Sequence, residues 1–153
     1  GTKQTINSET YAKKIEALQQ NISLKSLATP LLAHLIEEGF ANNKISREVI
    51  ATYLSDQKLD NIESLILGCT HYPLIKEEIS AYYEGKIDIL DSATIVATQL
   101  QKYLKENSLL SSIDEKSNPE HHFFVSDYTN SFEKSTNIFF GEKIKLEHFS
   151  LWD

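Results

Sequence analysis

The sequence lacks several features that mark particular classes of protein. It has one cysteine and no methionine among 153 residues. A single cysteine excludes an internal disulfide framework and any metal site built from several thiolates. No apolar run approaches the roughly 20 residues that a membrane helix needs, and no secretory signal is visible. We therefore expect a soluble, cytoplasmic protein.

Positive charge is also scarce. Lysine plus arginine total 15 against 22 aspartate plus glutamate, which gives a formal net charge of -7. Binding to nucleic acid or to an anionic membrane surface needs clustered surplus positive charge, so we expect neither as a partner. Apolar residues make up 41% and charged residues 24% of the chain, as in ordinary globular proteins. This length holds one compact domain or two small ones.

Short apolar strands alternate with helices in the middle of the chain. Ser64–Leu67 is an apolar run that stops at Gly68, and residues 87–90 predict a second strand. Each is followed by a helical pattern, and such strand–loop–helix units predict an α/β fold with a parallel sheet flanked by helices. Reactive groups gather at the carboxyl ends of parallel strands. Cys69 and Asp91 both lie at such ends.

The first third of the chain has mainly helical spacing. Apolar residues predict helices after Ser8, over 30–39 and after Ser46, with the two serines as N-caps. Residues 22–29 alternate apolar and polar side chains, which predicts another short strand.

The last third begins with a predicted helix after Asp91-Ser92, where we favour a capping role for Asp91 over a substrate role. A linker at 107–122 follows, then a strand at 123–126, a helix at 130–140 and a final strand at 143–151. This last segment is rich in aromatic residues that a piece of about sixty residues buries poorly alone.

The residues around Cys69 favour a chemical role for its thiol. A lone cysteine is most often a small buried apolar residue. Here Gly68 lets the backbone turn closely, and Pro73 begins a helix whose N-terminus favours a thiolate. Thr70 supplies a hydroxyl, and His71 an imidazole. These neighbours suit either a cysteine nucleophile or a cysteine that moves a proton.

The segment Leu67–Leu74, Leu-Gly-Cys-Thr-His-Tyr-Pro-Leu, closely resembles the second cysteine motif of glutamate racemases, in the aspartate/glutamate racemase superfamily. Residues 1–8 are similar to the family's Gly-Thr-x-x-Thr-x-x-Ser segment, and residues 30–39 to its Pro-rich helix ending in Glu. Asp91–Ala93 resembles its late Asp-Ser-Ala, and residues 124–151 its tail. The resemblance therefore extends over essentially the whole chain.

This resemblance implies an enzyme that interconverts L- and D-glutamate without a cofactor and supplies D-glutamate for peptidoglycan. Two cysteines act on opposite faces of the substrate Cα: one removes the α proton as a thiolate, and the other returns a proton. Cys69 would be one of them. His71 would bind substrate and tune the thiol, and Glu37 would assist the same side.

The resemblance also implies substrate-binding roles for Thr70, Thr2 and Thr5, the last two near the substrate carboxylates. It implies no metal. Adjacent His121 and His122 would point to opposite faces of an extended segment, so we assign them to a solvated loop.

One half of the family pattern has no counterpart here, including its Ala-Cys-Asn-Thr motif with the other cysteine. We expect a C-terminal portion that is inactive alone. Residues 1–92 would form the second lobe. Residues 93–153 would pack on the missing first lobe of the same protein, so that the aromatics from Phe123 to Trp152 would be exposed. A homodimer is possible because the family often dimerises.

Two other interpretations stay open at this point. The chain could be a non-catalytic remnant or a regulatory binding lobe. It could also belong to a racemase for aspartate or another acidic amino acid, since aspartate and hydantoin racemases carry a similar Gly-Cys motif. The Cys-Thr-His-Tyr-Pro form, together with Thr2 and Thr5, favours glutamate.

Overall fold

The computed structural model describes residues 1–19, 21–111 and 121–150. It divides into two compact units, residues 1–99 and 100–153. The helices of the described residues are α1 Lys3–Asn7, α2 Thr10–Ala17, α3 Pro30–Glu37, α4 Lys44–Leu54, α5 Lys76–Tyr82, α6 Ser92–Glu106 and α7 Asn130–Phe140. The strands are β1 Ser64–Leu67, β2 Asp88–Asp91, β3 Phe123–Val125 and β4 Leu146–His148. No helix in these ranges is long and apolar enough to cross a membrane.

Both strand pairs of the described residues are parallel. In the first unit β1 pairs with β2, and Leu67 lies opposite Asp91. In the second unit β3 pairs with β4, with Phe123 opposite Leu146. Helices connect the paired strands, as parallel pairing requires. The predicted α/β class is confirmed, and β2 begins and ends one residue later than predicted.

The core of the first unit lies between α3, α4, α5 and β1. Its buried side chains form one cluster, made of Leu32, Ile36, Ile50, Leu67, Tyr72, Ile75 and Ile79. A short 3-10 helix, Tyr72–Ile75, carries two of them from the end of β1 into α5. The core therefore fixes the segment after Cys69 against α3.

The predicted caps of two helices were wrong. Asn43 caps α4: its side chain accepts from Ser46 N (3.0 Å), and Ser46 Oγ accepts from Asn43 N (3.0 Å). This reciprocal capping box places the cap three residues before Ser46. Ser8 lies two residues before α2, where its hydroxyl accepts from Thr10 N (3.3 Å), and Glu9 takes the cap position with φ 55°.

The predicted strand at 22–29 is also wrong. The carbonyl of Leu27 accepts from the amino group of Gly1 (3.0 Å), and Thr29 N donates to Gly1 O (2.8 Å). Alternating side chains predict a strand, but a strand also needs a ladder of backbone partners. Both of these hydrogen bonds are to Gly1 alone and do not continue as a ladder in the described residues. Residues 21–29 therefore form no strand.

The second unit contains the predicted strand–helix–strand segment. The helix at 130–140 is confirmed; Thr129 accepts from Phe132 N (3.1 Å), and Gly141 ends the helix with φ 69°. Phe123 packs edge-on against Phe140, with ring centroids 4.9 Å apart. Many aromatics here are nevertheless exposed: Phe124, Tyr128, Phe132, Phe139, Phe140 and Phe149. Trp152 lies outside the described residues.

Candidate active site

Cys69 lies in a tight turn at the carboxyl end of β1, one residue beyond Gly68. Tyr72 N donates to Cys69 O (3.2 Å), and Leu74 N donates to His71 O (3.1 Å). The turn therefore passes directly into the 3-10 helix. Pro73 fits its first turn because no N–H is needed there. The turn leaves Cys69 half-buried.

His71 joins Cys69 to Glu37. Its Nδ1 lies 3.7 Å from the Sγ of Cys69, and its Nε2 lies 2.9 Å from Oε1 of Glu37. When Nε2–H donates to the carboxylate, Nδ1 of the neutral ring keeps a lone pair that faces the thiol. The imidazole can then accept the thiol proton, and the imidazolium so formed lies between two anions. This is the arrangement that activates a thiolate.

Glu37 is the last residue of α3, so the C-terminus of that helix aims its carboxylate at the turn. The His71 side chain is 25% exposed and that of Glu37 is 44% exposed, so solvent reaches the pair. The second oxygen of Glu37 lies 3.5 Å from Nδ1 of His34. His34, predicted to be an ordinary surface histidine, is exposed, and its imidazole lies on the outer side of this carboxylate.

Thr70 lies beside the same imidazole. Its Oγ1 is 3.5 Å from Nδ1 of His71, at the long limit of a hydrogen bond. The residue is exposed. Its hydroxyl can therefore turn toward a ligand with little loss.

Thr2 and Thr5 pair with each other at the start of α1. Thr2 Oγ1 accepts from Thr5 N (3.1 Å), and the two hydroxyls are 2.9 Å apart. A Cβ at Gly68 would lie 3.5 Å from Cγ2 of Thr5, so this pair adjoins the residue before Cys69. The structure thus connects Cys69 directly with Thr70, His71 and Glu37, and places the two threonines beside that group.

Asp91 acts as the cap of α6, as favoured above. Its Oδ1 accepts from Ala93 N (2.8 Å) and Thr94 N (3.3 Å), and its Oδ2 from Thr94 Oγ1 (3.0 Å). Burial raises the pKa of Asp91, but the hydrogen bonds from Thr94 and Ala93 and the Lys76 ammonium outweigh it, so the pKa lies below its usual value. Both oxygens are occupied within the fold.

A buried contact that the sequence pattern did not predict joins Thr29 to Tyr72. The Tyr72 hydroxyl donates to Thr29 O (3.0 Å) and lies 2.7 Å from Thr29 Oγ1. Burial raises the pKa of Tyr72; the Thr29 hydrogen bond opposes this, and the nearby Cys69 thiol adds to it. The sequence signal that could have indicated this contact is the position of Tyr72 within the cysteine motif.

Glu78 also has a role that the sequence pattern did not indicate. Its place in the first turn of α5 suggested only a favourable charge for the helix dipole. Its carboxylate instead accepts from Ser46 Oγ (2.6 Å) and from Asn42 N (3.1 Å). Glu78 therefore ties the start of α4 to α5.

Metal-ligating side chains do not cluster in the described ranges, where no group of three or more His, Cys, Asp or Glu could hold an ion. His122 instead contacts Glu147, with Nδ1 2.8 Å from Oε1.

Comparison with known proteins identifies chains that are similar to this one. No protein-family model matches the chain. The curated glutamate racemase of Geobacter metallireducens is 36% identical over 144 residues, which are 94% of this chain and 53% of that protein. That of Chlorobium phaeobacteroides is 38% identical over 139 residues, 91% of this chain and 50% of that protein. The chain is homologous to the glutamate racemases. It spans about half the length of these curated relatives.

Solved glutamate racemases share the fold as well. The structure from Francisella tularensis, in complex with D-glutamate, is 37% identical and superposes with a TM-score of 0.81 over 96% of this chain and 54% of that one. An isoform from Bacillus anthracis gives the same TM-score, 0.81, at 29% identity over 95% of this chain. The homology therefore extends over both units of the chain, and it matches half of a racemase.

Proposed function

We propose that this chain provides one catalytic face of a glutamate racemase, which interconverts L- and D-glutamate by moving the α proton without a cofactor. The observation that carries the proposal is the connected set of Cys69, His71 and Glu37, with 3.7 Å from Sγ to Nδ1 and 2.9 Å from Nε2 to Oε1. Cys69 and His71 lie within a motif resembling that of the racemases, and Glu37 ends a helix similar to one of theirs, in a chain homologous to them.

In the proposed reaction the Cys69 thiolate removes the α proton of one glutamate enantiomer and becomes a thiol. A second thiol on the opposite face of Cα donates its proton, which inverts the centre and leaves that group as the thiolate. In the reverse direction the two thiols exchange roles. His71 and Glu37 stabilise the thiolate form of Cys69 by holding the proton that it releases.

The second thiol has to come from outside this chain, because the chain has one cysteine. We propose that it belongs to another lobe of the same protein, against which the second unit packs. The exposed aromatic side chains support this: Phe124 is 60% and Phe149 is 56% exposed, and contiguous exposed apolar side chains often mark protein interfaces. A homodimer is a second assembly consistent with this surface.

Substrate binding is assigned to the polar groups around Cys69. Thr70 and His71 lie beside the thiol, and the Thr2–Thr5 pair adjoins Gly68. Their hydroxyls and the imidazole can donate to the two carboxylates of glutamate. D-glutamate bound in the Francisella tularensis racemase is the ligand that this assignment favours. The product would supply peptidoglycan synthesis in the cytoplasm.

The test is exchange of solvent deuterium into the Cα of L- and D-glutamate, with formation of the opposite enantiomer followed in parallel. It is run on this chain, on the product of the complete gene and on that product with Cys69→Ser. We expect racemisation only in the unsubstituted complete product. Cys69→Ser should also lose exchange with the enantiomer whose α proton Cys69 removes. Activity on aspartate alone would overturn the substrate assignment. Absence of exchange with every acidic amino acid would favour a non-catalytic or regulatory lobe.

A further inference from the structure

We infer that Thr29 and Tyr72 are a positioning pair that holds Glu37 against His71, an inference that deepens the racemase function proposed above and rests on it. Neither residue touches the thiol through a hydrogen bond. Their effect on Cys69 would pass through α3, which begins directly after Thr29 and ends at Glu37.

The contact between the two residues is buried, and the Tyr72 hydroxyl meets two oxygens of Thr29. Tyr72 is 3% and Thr29 is 5% exposed. The Tyr72 hydroxyl donates to Thr29 O at 3.0 Å and lies 2.7 Å from Thr29 Oγ1, which also lies 3.3 Å from Gly1 O as a donor. Away from competing water, a hydroxyl that loses such partners stays unsatisfied. The pair therefore strongly favours one position for the start of α3.

Because α3 is a rigid helix, fixing its first residue also fixes the place of Glu37 at its end. At about 1.5 Å per residue, the helix separates Thr29 from Glu37 by roughly 12 Å. His71 and Tyr72 are consecutive in the turn, yet one contacts the end of α3 and the other contacts the residue before its start. The turn thus holds the helix at both ends. With one end released, α3 can slide, and the 2.9 Å contact between Glu37 and His71 lengthens.

Simple core packing would explain the burial of the Tyr72 ring, which lies in the apolar cluster with Ile36 and Ile75. It does not explain the two hydrogen bonds of the hydroxyl. Tyr72→Phe removes the hydroxyl and keeps the ring, and Thr29→Val removes Oγ1 and keeps the volume. Thr29 Oγ1 makes no capping hydrogen bond to α3, so Thr29→Val leaves the helix cap unchanged. It also removes the 3.3 Å hydrogen bond from Thr29 Oγ1 to Gly1 O, whereas Tyr72→Phe keeps that bond.

Tyr83 provides the matched control. Its hydroxyl is buried and has no hydrogen-bond partner in the described structure, and its ring packs against the same cluster. Tyr83→Phe therefore removes a tyrosine hydroxyl from the same unit without breaking a hydrogen bond. Thr29→Ser, which keeps the hydroxyl, is the conservative variant for rescue.

The experiment measures alkylation of Cys69 by iodoacetamide as a function of pH. The chain has one cysteine, so the rate reports that thiol alone. We expect Tyr72→Phe and Thr29→Val to change the rate near neutral pH by about threefold and to move the pH profile in the same direction as Glu37→Gln. Thr29→Ser and Tyr83→Phe should keep the parent profile. Circular dichroism confirms that each variant is folded.

A double variant separates positioning from a general structural effect. If Tyr72 acts through Glu37, then Tyr72→Phe added to Glu37→Gln moves the profile no further than Glu37→Gln alone. Additive shifts, an unchanged profile in both folded hydroxyl variants, or an equal shift in Tyr83→Phe would overturn the inference. Alkylation needs no substrate. A shifted profile without racemisation by the complete gene product would therefore reject the proposed function and keep the positioning role.

Discussion

Nε2 of His71 lies 2.9 Å from Oε1 of Glu37, and this single contact joins the turn after β1 to the C-terminal end of α3. It fixes the orientation of the imidazole and leaves Nδ1 facing the Cys69 thiol at 3.7 Å. A cysteine that must alternate between thiolate and thiol needs a neighbour that can hold a proton without carrying it away. His71, held by Glu37, fits that requirement.

Replacing Glu37 with Gln keeps the shape of the side chain and removes its charge. We expect the rate of Cα deuterium exchange in the complete gene product to fall about tenfold, less than the ~10²–10⁴-fold contribution of a direct proton-transfer group. The reason is that the amide stabilises imidazolium poorly. Glu38→Gln is the control, since Glu38 is the exposed neighbour. Equal losses in the two variants would contradict a specific role for Glu37.

Cys69→Ser should abolish racemisation and leave substrate binding nearly intact. A hydroxyl of similar size holds its proton far more tightly than a thiol, so we expect a loss of at least ~10²-fold in the rate of racemisation. Binding of D-glutamate is measured by calorimetry on the same protein. Racemisation at a near-normal rate would refute the assignment of Cys69, and loss of binding together with racemisation would indicate a structural role.

The strand and turn that carry the cysteine were predictable because their signals are local. Ser64–Leu67 is a continuous apolar run, and Gly68 and Pro73 mark where it stops and where the next helix begins. Helix α7 was predicted with its observed ends for the same reason. The roles of Cys69 and Glu37 came from resemblance to a family and stay predictions. The structure shows the contacts between Cys69, His71 and Glu37 from which those roles are proposed.

The remaining contacts could not be predicted because they depend on residues far apart in sequence. In the sequence, Thr29 is only the residue before a proline. Its hydrogen bonds with Tyr72 become visible only in the folded structure. Residues 22–29 have the alternation of a strand, but alternation does not specify a backbone partner. Serine is a residue type that often caps helices, so Ser46 was predicted to be a cap. Only the capping role of Asn43 shows that Ser46 is the third residue of α4.

Ser46→Ala should destabilise the fold by about 1–3 kcal/mol, since it leaves the carboxylate of Glu78 short of a buried partner. Ser46 Oγ donates to that carboxylate at 2.6 Å and accepts from Asn43 N at 3.0 Å. Urea unfolding measures the loss. Ser55→Ala, which removes an exposed hydroxyl at the other end of α4, should change the free energy of unfolding by less than about 0.5 kcal/mol. Similar losses would contradict the buried contact.

Asp91→Asn tests the lowered pKa of Asp91. Burial works against its charge, but the hydrogen bonds from Thr94 and Ala93 and the ammonium of Lys76 lower the pKa of the folded carboxyl. A lowered folded pKa stabilises the fold above the unfolded value of about 3.9, and this stabilisation disappears as the pH falls through the lower folded value. Asparagine keeps one capping oxygen and loses the charge. We expect a loss of about 0.5–1 kcal/mol near neutral pH, because the negative charge at the N-terminus of α6 is removed.

The pH dependence of that loss distinguishes charge from capping. The difference in the free energy of unfolding between parent and Asp91→Asn should be constant near neutral pH and should shrink below about pH 4, because the parent carboxyl then becomes protonated in both states. Asp88→Asn, at the exposed start of β2, serves as the control in urea unfolding at each pH. A difference that stays constant through the acid range would show that Asp91 acts through the geometry of its cap and that its charge adds nothing.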